Sequence, residues 1–587
     1  MPLVVYPCVW LCLMLLGLVP AYANTNPAPG QTPGGIIQTN RDFTGGAIRP
    51  TQPAKLPDVQ GKEAQTIQKI QVEQPDIYDP LKRKIPISHI TVEGNTVVSN
   101  RKLAPLLATF EGQSWTLAEL QDLLADGIGK LYEKEGYVTA VAVIPPQSIK
   151  NGELLIKVTE GVLESVTFEP KRYFKQQAVL PRVSTNVGDP LNINDLLRTL
   201  RRINESPDIE IGATLKPGQA PGTTALVLTT LEETRPYHLS GFNDNLGRAN
   251  IGFQRAGLTA SHNNLFGIGD TAYVSTGWSR NGFTQLAGYE APIGSHGTKL
   301  GVNQVYTNFD FETAAGKVDG HATILQSYVK QELFRNETLT LESELGLAIK
   351  QSAVNFISQR AGQDRLTVFT PALSLQHSDR FGRTLVRSEV GLGVDMLGSM
   401  TNRENGLSRP GAGSQFARWT LTGIRSLVLP PQLGYMVFKS FNQIAFNPLN
   451  PLEQLQLGGN ATVRGYSEGR FIGDSGFILG AESRTPVRVF PQTAMLPKTQ
   501  LPWNEVFEFV NFVEGGALFN RGNTASVNPF QQIPLTNHAQ ALSVGTGTRI
   551  RLSKYLNARF DVGFPLIHQK GGNASARLHM GLEGNFF

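Results

Sequence analysis

From Pro236 to Phe587 the chain runs 352 residues with almost no helical periodicity, while segment after segment alternates apolar with polar residues or glycine. Between Thr338 and Lys350, Leu339, Leu341, Leu345, Leu347 and Ile349 interleave with Thr340, Glu342, Glu344 and Gly346. Val386, Val390, Leu392, Val394 and Met396 interleave with Arg387, Glu389, Gly391 and Asp395, and Leu556, Ala558, Phe560, Val562 and Phe564 with Asn557, Arg559, Asp561 and Gly563. A period of two is that of a strand, whose successive side chains face opposite ways. One face of these strands is apolar and the other carries charges and glycine. A soluble barrel would reverse this, with fewer charges on the buried face. Lipid outside and water inside satisfy both faces, so the pattern predicts a transmembrane antiparallel β-barrel.

Composition agrees. Charged residues are 17% of the chain and there are 60 glycines, against roughly 25% charged in ordinary soluble domains. No run of 18 apolar residues occurs beyond the first two dozen, which excludes helical spans. Sixteen candidate strands can be laid out from Tyr237 to Phe587. That allots about 22 residues to each strand and its loop, and an even count leaves both ends of the barrel on the periplasmic side. One connection, residues 491–502, is long for the short periplasmic turn expected there.

The N-terminus reads as a secretory signal peptide over residues 1–23, with an apolar stretch Val9 to Val19 and the cleavage signal Ala21-Tyr22-Ala23. Both cysteines, Cys8 and Cys12, lie inside it, so the exported chain has no thiol or disulfide chemistry. Residues 24–84 are rich in Pro, Gly, Gln, Asn and Thr and are expected to be a flexible linker. A short helical stretch around Glu63 to Val72 would act as a plug if it entered the pore.

Residues 85–160 change character. A strand over Ile87 to Val92 leads to a helix near Arg101 to Phe110. A second helix opens on Thr116-Leu117-Ala118-Glu119, a capping box, and places Leu117, Leu120, Leu124, Ile128 and Leu131 on one face. Strands over Tyr137 to Ile144 and Glu153 to Thr159 complete a β-α-α-β-β unit. Residues 161–234 repeat the order: Val166 and Phe168 in a strand, Asn192 as a cap, a stripe of Ile193, Leu196, Leu197, Leu200 and Ile203, then strands over Ile209 to Leu215 and Thr224 to Leu231. Two consecutive copies of one supersecondary unit form an internal repeat. The predicted architecture is two α+β domains followed by the barrel over 235–587.

Chemistry concentrates in one loop. Val463-Arg464-Gly465-Tyr466 sits in a Gly- and Asn-rich stretch, about 449–473, between the eleventh and twelfth candidate strands, so it enters from the extracellular side. Arg cannot shed its proton, so an inward-folding loop must bring Arg464 to a carboxylate. The other signatures are bland. The net charge of +5 is spread without basic–aromatic clusters, which argues against nucleic acid. The nine His residues show no metal-ligand spacing, and Gly545-Thr546-Gly547 is followed by no Lys-Ser/Thr of a phosphate loop. No nucleophile elbow with partners stands out, so neither an enzyme activity, a metal nor a cofactor is expected.

Several motifs together carry a resemblance. Gly136-Tyr137, Ile144-Pro145-Pro146-Gln147, Gly152-Glu153-Leu154 and Glu160-Gly161 come first. Asp244-Asn245-Leu246-Gly247 and Asn263-Asn264-Leu265-Phe266-Gly267-Ile268-Gly269-Asp270 follow. Leu457-Gly458-Gly459-Asn460, the Val463 to Tyr466 motif and Gly473-Asp474-Ser475-Gly476 complete the series. In this order over residues 85–587 the chain resembles the two-partner secretion transporters, the haemolysin-activator and filamentous-haemagglutinin exporter family. The two repeats are similar to that family's POTRA (polypeptide-transport-associated) domains.

The resemblance implies an outer-membrane translocator with periplasmic POTRA domains. Its implied partners are a secreted exoprotein with an N-terminal secretion domain, outer-membrane lipid and, during biogenesis, the barrel-assembly machinery. It also implies that the inward loop's Arg464 pairs with an acid in a barrel-wall F-x-D-x-G motif. Here that motif reads Phe512-Val513-Glu514-Gly515-Gly516, with Phe512, Glu514 and Gly516 at the matching places and Glu for the usual Asp. Phe586 and Phe587 resemble an outer-membrane insertion signal, although the apolar set Leu578, Met580, Leu582, Phe586 ends one residue before Phe587. The alternative reading is a barrel-assembly factor built of the same parts.

Overall fold

The structure is a computed structural model that describes residues 84–586 apart from 249, 314–315, 431–432, 488–494, 496–501, 504–505, 523–537, 554 and 568–574. The expected signal peptide, the linker but for its last residue, most of the 491–502 connection and Phe587 lie outside the described residues.

The first unit comprises β1 (Ile85–Ile87), β2 (His89–Glu93), helix α1 (Asn100–Leu107), β3 (Gln113–Trp115), a run of helix, β4 (Val141–Val143) and β5 (Glu153–Thr159). The helical run is made of Leu117–Glu119, a π-helical turn Leu120–Ala125 and Asp126–Lys134. Its start is set by both halves of the capping box: Thr116 accepts from the Glu119 N–H, and Glu119 accepts from the Thr116 N–H. Leu120, Leu124 and Ile128 then pack, fully buried, with Ile90, Leu154 and Ile156. The sheet order is β2-β5-β4, with β2 parallel to β5.

Two details differ from the periodicity. The expected strand Ile87 to Val92 breaks at Ser88, and Ile87 belongs instead to β1, which pairs separately with β3. The 137–144 segment turns at Tyr137–Ala140 and is strand only over Val141–Val143. Three-residue strands are too short for alternation to register.

The second unit repeats the plan with β6 (Val162–Glu169), two helices (Gln176–Val179 and Ile193–Ile203), β7 (Ile209–Pro217) and β8 (Thr223–Glu233), in the order β6-β8-β7. Asn192 caps the longer helix through Asn194 N–H, and Ile193, Leu196 and Ile203 are buried in one core with Leu226 and Leu228. The two units meet where the Ile193 N–H donates to the Gly136 carbonyl at 2.8 Å and the Leu191 N–H to the Gly161 carbonyl. At the same junction Glu160 accepts from Thr96, the Val97 N–H and the Tyr132 hydroxyl. Burial pushes its carboxyl up, but these donors together win and hold it below the ordinary carboxylate range.

The second unit ends against the rim of a closed barrel. Asp208, just before β7, is buried and accepts from Asn263 at 2.7 Å, with the His238 ring 2.9 Å away. Arg202 pairs with Glu332 at 3.0 Å, and Glu205 with Arg335.

The barrel has sixteen antiparallel strands. The first, Tyr237–Asp244, pairs with the second, Arg255–His262, and closes the cylinder on the sixteenth, Arg577–Asn585. The side chains follow the alternation. Leu345, Leu347, Phe560, Phe564, Leu578, Leu582 and Phe586 are exposed on the outer face, whereas Glu344, Lys350, Glu389 and Asp561 are buried inside. No helix among the described residues is long and apolar enough to cross a membrane, and the crossing is made by strands.

Candidate functional site: the inward loop in the barrel lumen

Between the eleventh strand, Tyr435–Ala445, and the twelfth, Ser475–Pro486, the chain turns into the lumen over residues 446–474. A short hairpin, Leu455–Leu457 paired with Phe471–Gly473, stiffens this loop. Its apolar residues Leu455, Leu457, Val463 and Phe471 form a buried cluster with Phe441, Ile478 and Leu518 of the wall. The loop is therefore held by burial of apolar area as well as by its charges.

At the tip, Arg464 is buried to 2% exposure and meets three carboxylates on three strands. Its terminal nitrogen lies 2.6 Å from Glu514 on the thirteenth strand (Phe507–Phe519) and 2.7 Å from Glu482 on the twelfth. Its other terminal nitrogen is 3.4 Å from Asp561 on the fifteenth (Leu556–Pro565). The Arg464 backbone N–H also donates to Glu514, at 2.8 Å. The Phe512 ring lies under the guanidinium, 3.5 Å from Cζ to its centroid, a cation–π contact.

Two further guanidiniums balance the acids: Arg484 at 2.6 Å from Glu482 and Arg549 at 2.6 Å from Asp561. Lys439 of the eleventh strand also faces Glu482 and Glu514, so the three anions are surrounded by cations, which is what makes so much buried charge tolerable.

The residues beside Arg464 complete the contact. Gly465 has φ +94° and donates its N–H to His579 Nε2 at 3.2 Å, on the sixteenth strand. A Cβ at Gly465 would lie 3.0 Å from the Gly563 carbonyl carbon, so both glycines are needed for the backbones to touch. The Tyr466 hydroxyl donates to the Ile567 carbonyl at 2.8 Å and accepts from the Leu542 N–H at 3.3 Å. Gly516 leaves room for Leu457, which a Cβ there would approach to 3.0 Å. Tyr466→Phe removes both hydrogen bonds and is expected to weaken docking by about 1–3 kcal/mol, at the usual worth of each. Protease cleavage within the loop should rise, but less than on loss of Arg464, and an effect as large as that loss would refute this assignment.

The structure thus brings Val463, Arg464, Gly465 and Tyr466 together with Phe512, Glu514 and Gly516, while Phe586 lies on the outer face, away from the loop. It adds residues that sequence reasoning did not assign: Glu482, Asp561 and His579 at the tip, and Glu453 at the loop's entry. Glu453 is wholly buried between Lys350 (2.5 Å) of the seventh strand and Arg418 (2.8 Å) of the tenth. The alternation had put Asp561 on the inward face, which was the available signal, but nothing in it states the height of a residue along the barrel.

Comparison with known proteins bears on the family and the fold. The family model described as haemolysin secretion/activation protein ShlB/FhaC/HecB matches residues 222–496. A POTRA domain model of ShlB type matches 85–161, and an Omp85 superfamily model matches 412–587. The outer membrane transporter CdiB of Dickeya dadantii is 24% identical over 508 residues, covering 82% of each chain. The heme/hemopexin transporter protein HuxB of Haemophilus influenzae is 22% identical over 428 residues, covering 70% of this chain and 74% of that one. The solved structure of CdiB from Escherichia coli superposes with a TM-score of 0.70 at 19% identity, covering 89% of this chain and 94% of that chain, a likeness of fold. The chain belongs to the ShlB/FhaC/HecB family and is an outer-membrane transporter of two-partner secretion.

Proposed function

We propose that this transporter captures one unfolded exoprotein in the periplasm through its POTRA units and passes it through the barrel once the Arg464 loop leaves the lumen. No nucleotide takes part, and folding of the client outside the cell supplies the direction. The observation that carries the reading is the docked finger: a loop tip held in the lumen by one cluster of opposed charges can be released as a unit. A client of the haemolysin class is suggested by the family description, haemolysin secretion/activation. An adhesin-like client and an N-terminal secretion domain on it are what the resemblance in sequence implies.

One strand edge is suited to capture. β7 is an edge strand, and Asn204 already imitates a neighbouring peptide on it, accepting from the Ile211 N–H at 2.8 Å and donating to its carbonyl at 3.1 Å. In an antiparallel pair, alternate residues turn both backbone groups to the same side. Ala213 and Leu215 therefore turn theirs to the same outer edge, where no partner exists among the described residues. An extended segment can add there as a further strand. Because β7 starts beside the rim-bound Asp208, a segment laid along it lies next to the barrel entrance.

Ala213→Pro tests this. Proline is tolerated on an edge whose N–H faces solvent, but it removes the donor an added strand needs. Co-expressed with a client exoprotein that the parent secretes, the variant is expected to reach the outer membrane and to secrete roughly tenfold less client. Unchanged secretion would remove this edge from the pathway. An assembly factor would instead alter the whole outer-membrane protein profile.

A further inference from the structure

Asp474 of the Gly473-Asp474-Ser475-Gly476 motif makes no contact with Arg464, yet it is wholly buried and takes five hydrogen bonds from three extracellular segments. Arg409 grips it with both terminal nitrogens, at 2.5 and 3.0 Å. Arg409 belongs to residues 395–416, which connect the ninth strand, Gly382–Val394, to the tenth, Ala417–Val428. The Leu449 N–H (3.1 Å) and Gln454 (2.9 Å) donate from the entry limb of the inward loop, and the Arg521 N–H (2.7 Å) from beyond the thirteenth strand. The same Arg409 also donates to the Leu449 and Arg521 carbonyls, at 2.7 and 2.9 Å.

A second buried acid repeats the stitch. Asp364, on the eighth strand (Gln359–Asp379), accepts from the Ser408 N–H at 3.1 Å, the Ser408 hydroxyl at 2.6 Å and Asn450 at 2.7 Å. Between the two aspartates, Phe416, Leu449 and Leu452 close into one apolar cluster with Leu366 and Val368. The 395–416 segment is thus sewn to the entry limb of the loop by residues that are not those holding Arg464.

We propose that Arg409 and Asp474 are gate-positioning residues of a second lock, which shuts the extracellular mouth and opens independently of the Arg464 finger. A two-pronged guanidinium–carboxylate pair in a desolvated site has one geometry, and a chain leaving the lumen must displace the segment it fixes. The finger closes the middle of the lumen and the lid closes its exit. This rests on the reading of the barrel as the export conduit, but it is tested without a client.

The full mature protein would be purified, incorporated into planar lipid bilayers and recorded at single-channel resolution. Arg409→Ala is expected to keep the heat-modifiable barrel and to raise the frequency of opening by roughly tenfold or more. Arg409→Lys, which keeps the charge but not the fork, should fall between it and the parent. Asp474→Asn serves as the second variant should Arg409→Ala fail to assemble. Folded variants of both residues that stay as quiet as the parent would overturn the proposal. So would a double variant with Arg464→Ala that opens no more than Arg464→Ala alone. Openings that increase while secretion in cells fails would leave the lock standing and count against the export reading instead.

Discussion

Arg464→Ala is expected to abolish most client secretion while the barrel still reaches the outer membrane. The substitution removes the one cation that pairs with Glu514, Glu482 and Asp561 together, and leaves Glu514 with no ion pair as close as the 2.6 Å contact to Arg464. Removing one member of a buried ion pair typically costs about 3–5 kcal/mol, which converts to a shift of roughly a hundred- to several-thousand-fold in a docking equilibrium. Loop-docked and loop-released states of such a device differ by only a few kcal/mol, so the tip should be released most of the time. Export is expected to fail because the transporter needs a loop that docks and releases in step with the client, and a tip that no longer re-docks cannot make that switch. The barrel itself rests on its sixteen-strand ladder, which Arg464 does not join. Export measured against heat-modifiable barrel in isolated outer membranes separates the two effects. Normal secretion by an assembled variant would rule out a gating role for the finger.

A change that touches no charge is expected to do the same. At Gly563, in the fifteenth strand, an added Cβ would lie 2.5 Å from the Gly465 nitrogen and 2.7 Å from the Arg464 carbonyl carbon. Both are backbone atoms, so no side-chain rotation relieves the clash. Gly563→Val therefore places a residue that suits a strand where the finger must lie, favouring the barrel and evicting the loop. Secretion should fall as far as in Arg464→Ala, and protease cleavage inside 458–470 should rise on intact cells. A variant whose loop stays protected would show that the wall yields there and that close backbone contact is dispensable.

Where sequence reasoning succeeded, a local rule was enough. The capping box at Thr116 and Glu119, the stripe from Ile193 to Ile203 and the strand Glu153–Thr159 each arise from neighbours within a few residues, and each formed as read. It fell short where structure is brief or distant. The β1–β3 pair is three residues long and joins segments 28 apart, which no period reveals. At the candidate site, Glu514 was reached through a motif, but Glu482 and Asp561 are ordinary inward-facing acids in strands that contain several. Glu453, Asp474 and Arg409 lie in loops, where periodicity says nothing, although the short run around Asp474 marked the place.

The sequence by itself determined which side of each strand meets lipid and which meets water, because a two-residue period is imposed by backbone geometry and survives without knowledge of any neighbour. It also required that a guanidinium inside the wall find an acid, because that charge cannot be titrated away. The tertiary structure alone decided which acids join Glu514 there, and how many. Depth in the barrel depends on strand stagger and tilt, so residues 50 positions away at Glu514 and 114 away at His579 come to one level only when the cylinder closes.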